Sequence, residues 1–140
     1  MQYSRRYGTD EFRTQCQQLA GVDYYTVVPV LEKVIQRFVA DAVRKPAEYG
    51  ITDLGGLEKF GENGHRRNYL LRDKQIVVDG TLVEIGCDYA DMLGGEDEFG
   101  YVAKGISFGG KKQAVDKIYD ALSSFVGKQQ DLDAMVAAEH

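Results

Sequence analysis

The dipeptide Asp79-Gly80 restricts this chain more than any other feature. It lies between Gln75-Ile76-Val77-Val78 and Thr81-Leu82-Val83-Glu84-Ile85, two runs rich in β-branched residues. Asp-Gly supplies the two positive-φ residues of a type I′ turn, so the segment 75–85 reads as a β-hairpin with a two-residue loop. Such a loop leaves one register. Val78 opposes Thr81, Val77 opposes Leu82, Ile76 opposes Val83 and Gln75 opposes Glu84. Side chains alternate along a strand. Ile76, Val78, Val83, Ile85 and Cys87 therefore share a core face, and Gln75, Val77, Leu82 and Glu84 share the other.

Glycine usage supports extended structure around this hairpin. Thirteen of the 16 glycines fall between Gly50 and Gly110, which disfavours helix there. Residues 50–66 read as a connecting loop with one helical turn near Leu57–Phe60, and Tyr69-Leu70-Leu71 as a possible strand before the hairpin. Tyr101 to Phe108 reads as a further strand with Val102, Ile106 and Phe108 on one side. Gly105 weakens that strand or marks a bulge.

Helical signals flank the glycine-rich block. Thr9 or Asp10 can cap a short helix to about Leu19, with Phe12, Cys16 and Leu19 on one face. Val22 to Val30 is ambiguous between strand and helix: Tyr24 to Val28 favours a strand, and Pro29 fits best as the first residue of a helix. From there Leu31, Val34, Ile35, Phe38, Ala42 and Val43 form an apolar stripe, with Glu32, Lys33, Gln36, Arg37 and Arg44 elsewhere, and Pro46 ends the helix near Arg44. A last amphipathic helix starts near Lys111, buries Val115, Ile118, Leu122 and Phe125, and closes at Gly127. Leu132, Met135 and Val136 suit a short terminal helix that packs back. The expected architecture is a single α+β domain over residues 1–140: N-terminal helices, a short antiparallel β-meander containing the 75–85 hairpin, and a C-terminal helix packed on the sheet.

Charge is uneven. Seven acids and no lysine or arginine lie between Gln75 and Ala103, and residues 61–103 account for the whole net charge of −5. A one-signed block suggests a surface that meets something. Asp79 belongs to the hairpin turn and Glu84 to the sheet. The remaining acids sit in Asp88–Glu98 beside aromatic residues. Carboxylates speed encounter with a basic surface, and tyrosines anchor it while keeping a polar tip in water. Asp88, Tyr89, Asp91, Glu96, Asp97, Glu98, Phe99 and Tyr101 are therefore the candidate partner-binding residues. The partner is expected to be a protein with a basic surface, such as a nucleic-acid-binding one, and the chain an inhibitor or adaptor.

A second candidate is anionic-ligand binding at the strand-to-helix turn of Gly109, Gly110, Lys111 and Lys112. Gly105 to Lys111 matches the spacing of a phosphate loop, but Lys112 stands where magnesium binding needs Ser or Thr, and only one helix follows, with no second parallel strand. A third reading is self-association through the Val77/Leu82 face.

Other chemistry finds little support. The acids Asp88 and Asp91 do not follow the alternating pattern of a calcium loop. Cys87 points to the core, which argues against pairing with His65 as a nucleophile. No GxSxG motif occurs. No catalytic residue, metal or cofactor is assigned. Clustered basic residues are too few for direct nucleic-acid binding. No apolar run approaches the ~18 residues of a membrane span, and no secretory signal is expected at the N-terminus. Two separated cysteines suit a reduced, cytoplasmic compartment.

Overall fold

The computed structural model describes residues 3–55, 57, 74–91 and 101–139. The chain opens with β1 (Tyr3–Gly8), α1 (Thr9–Gln15), a 3-10 turn (Gln17–Leu19), α2 (Tyr24–Arg44) and a second 3-10 turn (Pro46–Tyr49). β2 (Ile51–Asp53), β3 (Lys74–Val78), β4 (Thr81–Asp91) and β5 (Tyr101–Gly110) come next, then α3 (Lys112–Gly127) and α4 (Leu132–Ala138). The five strands form one antiparallel sheet in the order β1-β5-β4-β3-β2. The fold is α+β, with a meander from β2 to β5 and α3 packed on the sheet.

The 75–85 hairpin has the register that its turn dictates. Val78 pairs with Thr81, Val77 with Leu82, Ile76 with Val83 and Gln75 with Glu84. Asp79 and Gly80 both have positive φ, at 50° and 78°. Ile76, Val78, Val83, Ile85 and Cys87 are all buried, whereas Gln75, Leu82 and Glu84 are exposed. The turn is tied to α3 by Lys117, whose Nζ lies 3.0 and 2.9 Å from the two carboxylate oxygens of Asp79.

The start of the chain differs from the sequence expectation. Tyr3–Gly8 is a strand on the outer side of β5, with Tyr7 opposite Ile106 and Arg5 opposite Phe108. Its alternation places Tyr3, Arg5 and Tyr7 towards the helices and Ser4 and Arg6 away from them. Arg5 remains on the inner face because its charge is met there: Nη1 lies 3.1 Å from Asp116 Oδ1, and the guanidinium sits 3.5 Å over the Tyr119 ring.

Tyr24–Val28, open between strand and helix in the sequence, is helical. Asp23 caps α2, its carboxylate accepting from Thr26 N–H at 3.0 Å. Val27, Leu31, Val34 and Phe38 line one buried stripe, and Val28, Ile35, Val39 and Ala42 another. Burying each such side chain is worth about 1.5–3 kcal/mol, which outweighs the weak strand preference of β-branched residues. Pro29 lies inside the helix. Its ring removes a bond to the carbonyl of Tyr25, a residue that is 61% exposed and so open to water.

β2 is a second difference: three residues of the expected loop pair with β3, and Ile51 is buried opposite Val78. The expectations at Phe60 and at Tyr69-Leu70-Leu71 lie outside the described residues. At the C-terminus, α3 buries Ala114, Val115, Ile118, Leu122 and Val126, while Phe125 is partly buried. α4 returns against α2 with Leu132 and Met135 buried. Arg37 fixes this return through two 2.9 Å hydrogen bonds to the carboxylate of Asp131.

The hairpin turn makes a prediction about two glycines that both have space for a methyl group. A Cβ at Gly80 or at Gly21 would meet nothing within 4 Å, but only Gly80 has a positive φ. Gly80→Ala should therefore cost about 1–2 kcal/mol in urea denaturation, and Gly21→Ala should be neutral or stabilise by up to about 1 kcal/mol. Equal effects at the two positions would contradict the turn geometry.

Candidate binding site on the acidic hairpin

β4 and β5 pair along nearly their whole length. Ile85 faces Phe108 and Cys87 faces Ile106 on the buried side, and Gly86 faces Ser107 on the other. The ladder then shifts. Asp88 opposes Gly105, but Tyr89 opposes Ala103, leaving Lys104 without a partner across the strand. This is a β-bulge beside Gly105. It reverses the alternation on β5, so Ala103 is fully buried and Val102 only half-buried. The expected placement of Val102 beside Ile106 and Phe108 is thereby corrected.

Beyond the bulge, among the described residues, the hairpin extends past its neighbours. β1 stops at Gly8, opposite Gly105, and among the described residues β3 stops at Lys74, opposite Ile85. Among the described residues, the pairs Tyr89–Ala103, Ala90–Val102 and Asp91–Tyr101 continue as a two-stranded arm. Tyr89, Asp91 and Tyr101 thus all lie on this arm. Glu96, Asp97, Glu98 and Phe99 lie outside the described residues.

Asp88 stands at the root of the arm, and its charge is engaged. Arg6 reaches from β1 across β5 and donates from Nε to Asp88 Oδ2. The guanidinium passes over Gly105, where an added Cβ would lie 2.7 Å from Arg6 Nη2 and 3.1 Å from the Tyr7 carbonyl oxygen. Glycine at 105 therefore leaves the path that Arg6 occupies. With side chains 42% and 48% exposed, the pair is worth no more than about 1 kcal/mol.

The bulge is met from the helix side by Glu32 of α2. Ala103 N–H donates to Glu32 Oε2 at 2.6 Å. Sequence reading places Glu32 on the polar side of the helix and assigns no role to Arg6. A signal for each was present: Glu32 stands four residues after Val28 and three before Ile35, both buried, and Arg6 alternates with Tyr7.

The second candidate site occupies the opposite end of the sheet. Gly109 lies opposite Glu84, and Gly110 opposite Val83 with φ 149°. A Cβ at Gly110 would come within 2.7 Å of the Leu82 carbonyl oxygen, so close strand approach accounts for that glycine. Lys111 is the N-cap residue of α3, and Lys112 Nζ lies 2.7 Å from Asp116 Oδ2. Tyr3, Thr81, Leu82 and the Gly110–Lys112 turn line a depression of about 580 Å³. Asp116 is held below the usual carboxylate range, chiefly by its hydrogen bond from Lys112 and then by that from Tyr3. Lys112 is thus already serving a neighbouring carboxylate.

On the outer sheet face Leu82 is 57% exposed and Val77 half-buried. One exposed leucine is ordinary for a folded surface. Among the described residues, no group of three or more His, Cys, Asp or Glu side chains is placed to hold a metal ion, and no helix is long and apolar enough to cross a membrane.

A scan against protein-family models finds no match, and searches of curated proteins and of solved structures find none either.

Both thiols are free and buried. Burial raises the pKa of Cys16. Burial also raises that of Cys87, with the charges of Glu32 and Asp88 adding to the effect. The thiolate is the reactive form. Ellman's reagent at pH 8 should therefore modify neither cysteine in the native protein on a timescale that labels both in guanidinium. Rapid native labelling of Cys87 would contradict its inward placement.

Proposed function

We propose that this chain is a non-catalytic protein-binding module, an inhibitor or adaptor that engages a basic surface of a partner protein through the acidic β4–β5 hairpin. The observation that carries this reading is the ladder that stays paired to Asp91–Tyr101. In sequence, Glu96, Asp97, Glu98 and Phe99 fall between these two paired positions. A loop tethered in this way loses less conformational freedom on docking than a tail would.

Charge supports the same reading. Asp88 is engaged by Arg6, and Asp91, Glu96, Asp97 and Glu98 follow it in a stretch of sequence that holds no lysine or arginine. Four carboxylates on one hairpin favour encounter with a basic partner, such as the nucleic-acid-binding face of another protein, and the attraction weakens with salt.

Affinity capture from the native host tests this. The wild type should retain a basic protein at low salt and release it at high salt. The triple variant Glu96→Lys, Asp97→Lys, Glu98→Lys should bind it about tenfold or more weakly. Equal retention by the two proteins would reject the proposal.

A further inference from the structure

We infer that Glu32 is a positioning residue that sets the direction of the β4–β5 arm by holding it at its bulge. A bulge bends its strand and re-aims the residues beyond it. At this bulge Lys104 has no opposing residue, and the next residue towards the arm, Ala103, is fully buried. A buried N–H needs an acceptor. Glu32 supplies one from outside the sheet, its Oε2 2.6 Å from Ala103 N.

The placement of Glu32 gives the contact its leverage. The residue is half-buried on α2, between the buried Leu31 and the buried Val34 and Ile35. α2 has Asp23 capping one end and the Arg37–Asp131 fork on its flank, so the carboxylate is presented by a fixed element. The root of the arm is thus held from two sides. Glu32 grips Ala103 from the helix layer, and Arg6 grips Asp88 from the open face. β1 has ended at this level, and among the described residues no further strand pairs with β5 on that side.

The importance of this contact for docking rests on the proposed function, but the positioning itself is tested in the free protein. Amide hydrogen exchange is read residue by residue for the wild type, Glu32→Ala and Glu32→Gln. In Glu32→Ala the amides of Ala103 and of Tyr89 to Asp91 should exchange about tenfold or more faster, while those of Ile85, Ile106 and Phe108 keep wild-type rates. Glu32→Gln retains an acceptor oxygen and should restore most of the protection. Unchanged protection at Ala103 in Glu32→Ala would overturn the inference. So would an equal loss across the whole sheet, which would mark a general contribution to stability. Failure of the docking reading would be seen separately, in retention that the charge-reversed hairpin does not alter.

Discussion

The register set at Asp79-Gly80 is the constraint on which the sheet depends. A strand that slips by one residue moves every side chain to the other face. Here the two-residue turn fixes β3 against β4, and β4 in turn presents Val83, Ile85 and Cys87 to the helices. β5 meets that face with Ile106 and Phe108, and β1 adds Tyr7. The helix layer closes over the result with Leu31, Ile35, Ile118 and Leu122. Lys117, bound to Asp79, ties the turn itself to that layer.

The β4–β5 ladder is regular from Val83–Gly110 to Asp88–Gly105 and shifts register at Tyr89, towards the acidic connection. The bulge at Lys104 falls where β1 ends and where, among the described residues, only β4 and β5 remain paired. Polar contacts gather there: Glu32 on a backbone N–H, Arg6 on Asp88, and Gly105 leaving room for the guanidinium. Ionic contacts that are partly exposed add little to global stability. Their location at the root of one hairpin suits a role in setting its direction.

Much of this was legible in the sequence because it derives from local rules. The turn chemistry gave the hairpin and its two faces, helical spacing gave α3 and α4, and Pro46 gave the end of α2. The start of α2 was harder. Tyr24–Val28 has strand-like composition, and only the Asp23 cap and the burial of Val27 and Val28 reveal the helix. β1 was hidden by two adjacent arginines, whose charges are satisfied by Asp116 and Asp88, far away in the chain. Gly105 signalled a bulge, but its consequence, the exchange of Val102 for Ala103 in the core, depends on pairing with β4. The acidic residues stood out by charge. That Asp88 is paired, and that Glu32 meets the bulge, depended on contacts that span 82 and 71 residues of sequence.

The central claim is that the acidic connection is held at both ends by a ladder that continues to Asp91 and Tyr101. Cross-strand nuclear Overhauser effects in the free protein test it most directly. The account predicts backbone contacts between Tyr89 and Ala103, Ala90 and Val102, and Asp91 and Tyr101, in continuity with those between Cys87 and Ile106. Contacts that stop at Asp88–Gly105, with the residues beyond showing no cross-strand effects, would contradict it.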